Sequence, residues 1–353
     1  MKLDAVAPGQ LEELAVLPGR PILAPRPGGL WLSPAIGRYT EFDPRTGATQ
    51  EHRLLRQKVG AFALLPEVDA VIVRTATGFV LQGPTGKTLA KATLPAAPPD
   101  RRRPQRPAWS GWALEGENLW VAGYGEDGLP RVDLLGARDL SRRGTITPRS
   151  AVWRRYGASD RVEDYGDDPT VLTSAALPGS FALYANGGDS FLFFTRFTAE
   201  GPAQVESDAL EQQVENASDE VVHHVRVTAD GLALIACDDL SQLRRIDIAT
   251  ATPTHRFIRP WGPIDDAAVQ GSYLVADILA DERALYVHME RNEYVDAPEE
   301  WPAEVLLRLD PESLEIEAAL DLGALAPEGG AEVHAGGLVT APRGKRTAIY
   351  RWT

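Results

Sequence analysis

GAFALLPEVDAVIVRT (Gly60–Thr75) and HHVRVTADGLALIACDDLS (His223–Ser241) decide the class of fold. In each, a short apolar run meets a turn of polar residues and is followed by a second apolar run. The turns, PEVD and TADG, hold the Pro, Asp and Gly that a tight chain reversal needs. Three further stretches share the form: SGWALEGENLWVAGYG (Ser110–Gly125), GSFALYANGGDSFLFFTRF (Gly179–Phe197) and GSYLVADILADERALYVHM (Gly271–Met289). Their aligned anchors Phe62, Trp112, Phe181, Val225 and Tyr273 are separated by 50, 69, 44 and 48 residues. That interval suits one four-stranded antiparallel unit per repeat once insertions are allowed.

A second element follows the first in several copies: YTEFDPRTGATQ (from Tyr39), FVLQGPTGKTLA (from Phe79), LRRIDIATATPT (from Leu243) and LLRLDPESLEIE (from Leu306). Each is a strand, a turn with Asp or Gly beside Pro or Thr, and another strand. The Asp side chain can bond backbone two residues on, and Gly47 or Gly86 can supply a positive φ. The pattern predicts an all-β chain, a single domain over 1–353, built as a β-propeller of seven four-stranded blades. The blades are expected at about 20–55, 58–95, 108–147, 179–217, 222–259, 271–322 and 331–353. Leu11–Leu17 is a strand with no local hairpin partner, and the copy from Glu332 runs out after about three strands. Pairing the two would close the ring and remove an exposed edge.

The FDPRTG turn (Phe42–Gly47) resembles a broad group of bacterial propeller repeat proteins that includes regucalcin-like lactonases and streptogramin-lyase-like repeats. That resemblance implies the propeller and, for the lactonases, a divalent metal held in part by a Glu of a Glu-Gly-Pro-x-Trp motif in the first blade. The matching place here reads RPGGLWLSP, with Pro27 and Gly28 and no acid, so no metal ligand carries over. The Gly-His…Trp-Asp pair, Kelch double glycines and Asp boxes do not recur, and fold likeness would not license an activity in any case.

Composition narrows the partners. Formal net charge is −14, which repels phosphate backbones and anionic lipid, so neither nucleic acid nor a membrane surface is expected. The single cysteine, Cys237, allows no intrachain disulfide. No stretch reaches the roughly 18 uninterrupted apolar residues of a membrane helix, and MKLDAVAPGQ has no signal-like apolar core. A cytoplasmic location is the expectation.

In the expected architecture the long insertions share one face: 95–109, 148–178, 259–270 and 290–302, with 124–130 shorter. Function concentrates on loops carried by a rigid scaffold. The first insertion gathers Arg101, Arg102, Arg103 and Arg106 beside Trp109, and the second opens with Trp153, Arg154, Arg155 and Tyr156. DRVEDYGDD follows from Asp160. Trp261, Tyr294 and Trp301 mark the others, the last two among Glu290, Glu293, Asp296, Glu299 and Glu300. Trp, Tyr and Arg are the residues of protein-recognition hot spots, and arginine beside an aromatic suits carboxylates. The leading expectation is therefore a recognition or scaffolding protein that binds a protein partner through this face, with a small acidic ligand as a further candidate.

An enzyme is the second expectation: a metal-assisted hydrolase, lyase or lactonase with a site at the channel mouth. Its candidates are His223, His224, Asp238, His288 and His334, none in a compact ligand spacing. Adjacent histidines on a strand point to opposite faces, so only one of His223 and His224 can serve. Cys237 beside Asp238 and Asp239 is a poor nucleophile, since like charge raises the thiol. QGPTGKT lacks the first glycine of a phosphate loop, and Gly-x-Ser-x-Gly is missing. No cofactor is indicated, and binding is favoured over catalysis.

Overall fold

The computed structural model describes residues 7–8, 10–19, 22–26, 29–35, 38–43, 46–54, 62–65, 70–75, 77–83, 85–94, 109–115, 117–124, 130–146, 170–173, 180–184, 186–187, 191–192, 195–198, 201–206, 222–228, 233–238, 242–247, 253–257, 273–280, 284–292, 302–326, 330–334 and 336–352. Among them the chain is all-β apart from one short helix, Leu322–Leu325. The strands form one five-stranded sheet, six four-stranded sheets and one two-stranded sheet. Five of the four-stranded sheets are simple antiparallel meanders, lying within 22–54, 62–93, 109–146, 170–206 and 222–257.

The strand Leu285–Arg291 shows why the hairpins read so clearly in sequence. It pairs with Tyr273–Ala280 on one side and Glu304–Leu309 on the other, and its opening residues Leu285, Tyr286 and Val287 are buried on both faces. A strand buried on both faces reads as a continuous apolar run. Thr88–Thr93 is the contrast: an edge strand, largely exposed, with Lys91 on the open edge, a charge that blunts pairing with other chains.

Consecutive sheets pack through shared apolar clusters. Leu65, Ile72, Phe79 and Leu81 of one sheet meet Leu119, Val121 and Leu135 of the next. Ile235 and Leu243 join Val275, Val287 and Leu307. On its other face the 273–321 sheet sets Tyr286 and Leu306 against Val339, Ala348 and Trp352. Leu11–Pro18 lies along Arg346–Trp352 as the edge strand of the last four-stranded sheet, and Ala7–Pro8 adds in parallel to Ile316–Asp321, making the 273–321 sheet five-stranded.

The propeller is corrected. The strands are distributed over separate small antiparallel sheets; none closes on itself or curls into a propeller, so the seven-bladed ring is withdrawn and the all-β class is what stands. The physical reason lies in what the repeat encodes. Turn chemistry and strand length dictate local antiparallel pairing and the number of strands per sheet. They do not dictate the path of one sheet to the next.

The fourth unit also differs in detail. Its sheet begins at Thr170–Thr173, inside the insertion expected over 148–178, and Ser180–Tyr184 is its second strand. The ANGGD turn was expected to join the first two strands of the unit. Instead it sits in a separate small hairpin, Asn186–Gly187 with Phe191–Leu192, while the main ladder runs from Ser180–Tyr184 to Thr195–Thr198.

Candidate functional site

Within each antiparallel sheet the connection from second to third strand leaves from the same end as the crossover to the next sheet. At the opposite end the connections are all short, the longest being 43–48, 174–179 and 310–315. At the first end lie the long connections 94–108, 147–169, 207–221, 258–272 and 292–303. The last of these rises from described residues at both of its ends.

Tyr273 begins the first strand of its sheet, and Arg291 stands opposite it in the register. The phenol donates to the Pro302 carbonyl oxygen at 2.5 Å, and the Arg291 N–H donates to the Ala303 carbonyl at 2.8 Å. The two bonds tie the start of the 292–303 connection to its end. Burial pushes the Tyr273 hydroxyl well above the usual phenol range; Arg291 opposes this and Asp321 adds to it. Tyr273 is thus a fixed neutral donor and not a phenolate base. Asp321 accepts from the Ala324 N–H at 2.9 Å and caps the short helix, continuing the same rim.

The other face of the sheet carries His288. It lies opposite Asp277 and Leu306 and diagonal to Glu304, whose carboxylate is 3.5 Å from Nε2. That is ion-pair range without hydrogen-bond geometry, and Nε2 is buried with no hydrogen bond. Glu290 pairs with Glu304 across the strands, and Leu274, opposite Glu290, is 40% exposed. Among the described residues no group of three His, Cys, Asp or Glu side chains could hold a metal ion.

The remaining histidines are held elsewhere. The register sets His224 opposite Cys237 and Val222 opposite Asp238, with His223 in the bulge between. His334 does not open its sheet at the long-connection end. It ends a three-residue strand, opposite Leu338, next to the tight turn at Gly336 and Gly337. There its Nε2 is 3.0 Å from the Thr340 hydroxyl, and burial pulls its pKa down to about 4. It is a satisfied neutral imidazole between strands.

Of the expected binding-face residues, Trp109 opens the strand Trp109–Glu115, its backbone in register with Gly123. Arg101, Arg102, Arg103, Arg106, Trp153, Arg154, Arg155, Tyr156, Trp261, Tyr294 and Trp301 lie outside the described residues. Sequence reasoning used Tyr273 only as a repeat anchor and passed over Arg291, Glu304 and Asp321. Tyr273, Arg291 and Glu304 are first or last residues of strands that border a long connection, and Asp321 ends the strand that leads into the short helix.

The arrangement presents and braces a loop. It offers no metal cage and no activated nucleophile among its described groups. Among the described residues no helix is long and apolar enough to cross a membrane. No protein-family model matches the chain, and no curated protein matches it. Among solved structures the chain is similar to the computationally designed Ika8 protein, at 9% identity, with a TM-score of 0.49 over 97% of this chain and 100% of that one; a likeness so slight carries no argument.

Proposed function

We propose that this protein is a recognition or scaffolding module that binds a protein partner through the long connections at one end of its sheets. The observation that carries the reading is the unequal length of the connections at the two ends. Insertions without a role would fall on either end, and long connections cost closure entropy that a binding function offsets. The braced base of 292–303 supports it further, because a loop held at both ends loses less entropy when it binds. The arginines and tryptophans of 95–109 and 153–156 supply the anchoring chemistry. A cytoplasmic location accompanies this reading, resting on a chain with one cysteine.

The experiment replaces 96–107 with a short Gly-Ser linker in one variant and Arg101, Arg102 and Arg103 with Ala in another. Each is checked for native circular dichroism and then cross-linked in lysate of the source cells beside the parent protein. A stoichiometric partner that the parent captures and both variants lose supports the proposal. The same proteins captured by parent and variants alike would overturn it.

A further inference from the structure

The last hairpin turns through Arg343, Gly344, Lys345 and Arg346, three cations in succession around one glycine, in a chain whose formal net charge is −14. It joins Leu338–Arg343 to Arg346–Trp352, the second and third strands of their sheet, so its tip lies at the end that carries the long connections. All four tip residues are exposed, while Thr347, Ala348, Ile349 and Tyr350 behind them are buried. Gly344, at φ 62, makes the two-residue turn. The Lys345 carbonyl accepts from the Gly19 N–H at 2.8 Å, and the Thr347 hydroxyl donates to the Gly19 carbonyl at 2.9 Å. A short turn on a buried ladder thus holds the three cations at fixed spacing.

The charges at this tip are arranged against the stability of the hairpin. Arg343 stands opposite Arg346 in the register, and like charges directly opposed across strands destabilise the pair. Arg343 Nη2 donates to the Tyr350 hydroxyl at 2.8 Å and meets the Glu13 carboxylate at 3.0 Å. Those two contacts fix the guanidinium, yet the Arg343 side chain is 57% exposed. Arg346 donates to the Val16 carbonyl at 3.4 Å, a long bond to a neutral group. Among the described residues no carboxylate pairs with Lys345 or Arg346. In a protein with 50 acidic residues, two adjacent exposed cations without an acid beside them mark a place where an outside anion fits.

We infer that the tip 343–346 is an anchoring point for carboxylates, and that the protein partner presents an acidic segment to it. The inference rests on the recognition reading and names the chemistry of the partner at this sector of the loop-rich end. Arg343, held by Tyr350 and Glu13, offers a fixed fork that suits a carboxylate, and Lys345 and Arg346 supply charge beside it. An acidic segment is favoured over nucleic acid because of range. A duplex would meet the −14 field along its whole length, whereas a short segment meets chiefly the tip, exposed charges beyond about 8 Å being screened.

The probe is a fluorescein-labelled peptide of alternating Glu and Tyr, titrated by anisotropy beside its Lys-and-Tyr counterpart and a labelled DNA duplex. The expected result is that the parent protein binds the acidic peptide alone, and that added salt weakens the binding. Lys345→Glu combined with Arg346→Glu should weaken it several-fold. Arg343→Lys, which keeps the charge and loses the fork, should weaken it less. The urea midpoint separates this role from a structural one. Arg346→Glu turns an opposed like-charge pair into an ion pair, so the midpoint should hold or rise while binding falls. No binding by the parent, equal binding by parent and double variant, or tighter binding of the duplex than of the acidic peptide overturns the inference. So does a midpoint that falls in step with the binding, which would make the tip a structural feature. In the lysate experiment, a double variant that keeps the partner lost by the 96–107 variant removes this anchoring point and leaves the recognition reading standing.

Discussion

Leu314 sits in a left-handed backbone conformation, φ 58, at the fifth position of the turn that begins at Asp310. Its N–H donates to the Asp310 carbonyl at 2.9 Å, and Asp310 N–H to Glu315 O at 3.0 Å. The same closure recurs at 136–141, where Leu140 has φ 54, and at 43–48, where Gly47 has φ 68. Glycine is the expected residue at such a place, so two leucines need an explanation. Leu314 is 2% exposed, within the cluster of Leu285, Val287 and Leu307, and Leu140 is buried beside Leu119 and Leu135. The side chain reaches the core from a strained backbone, and burial outweighs strain.

The magnitudes are separable by substitution. Leu314→Gly removes the strain, worth about 1–2 kcal/mol, but forfeits a buried leucine, worth about 3–4 kcal/mol with its cavity. The net is a loss of about 2 kcal/mol. Leu314→Ala forfeits nearly as much packing and keeps a Cβ in the left-handed region, so it should fall about 1 kcal/mol below the glycine variant. Urea unfolding of the three proteins should rank them wild type, then Leu314→Gly, then Leu314→Ala, with unchanged slopes. If the alanine variant matches or exceeds the glycine variant, strain is not what the turn stores. If the glycine variant matches wild type, burial is not what offsets it.

Gly78→Ala should be more damaging than its size suggests: with φ at 146, an added Cβ would land on the Ala92 carbonyl oxygen of the neighbouring edge strand. A loss of about 3 kcal/mol, the upper end for a residue held in a conformation reserved for glycine, is expected in the urea midpoint; an unchanged midpoint would mean this hairpin is arranged otherwise. His334 gives a pH signature. Its folded pKa, lowered by burial to about 4 from 6.5, means the unfolded chain binds the proton first as pH falls. Stability from this group is therefore full above pH 6.5 and lost progressively down to about pH 4, by about 3 kcal/mol in all. The exposed Glu332 carboxylate, 4.0 Å away, is too solvated to reverse that sign. His334→Gln should flatten the pH dependence of the urea midpoint across this window, and an unaltered slope would assign the dependence to other groups.

The turns were the most readable part of the chain because their chemistry is local. FDPRTG closes as its residues dictate: Asp43 N–H bonds Ala48 O, Thr46 donates to the Asp43 carboxylate at 3.1 Å, and Gly47 takes the positive φ. DPESL repeats it, with Asp310 accepting from the Ser313 and Glu312 N–H groups, bonds that hold its carboxyl below the usual range. GARDL at 136–140 makes the same turn and escaped notice, because its left-handed residue is a leucine and its aspartate comes fourth, bonding Ser141 instead. Some strands were legible for a related reason: Ala70–Thr75 opens with Ala70, Val71, Ile72 and Val73 all buried, an apolar run with no alternation to misread.

Range in sequence decided what stayed hidden. ANGGD is a sound hairpin turn and a hairpin does form there, but the ladder that matters pairs Ser180–Tyr184 with Thr195–Thr198 across it, a choice made by the facing strands. The site at the base of 292–303 has the same character. Tyr273 reaches Pro302 only because the strands Tyr273–Ala280, Leu285–Arg291 and Glu304–Leu309 are aligned so that their ends coincide. The order of sheets is a longer-range matter still, set by which apolar face finds which: Phe42 meets Leu338 and Ile349 with the strand Leu11–Pro18 laid between. Gly47 carries the mark of that encounter. Its missing side chain leaves room for the Leu14 carbonyl, which a Cβ would approach to 2.9 Å. Leu140 and Leu314 occupy the equivalent position where a core socket waits instead. One turn, three times over, thus takes glycine where a strand must pass and leucine where a neighbouring sheet must be filled.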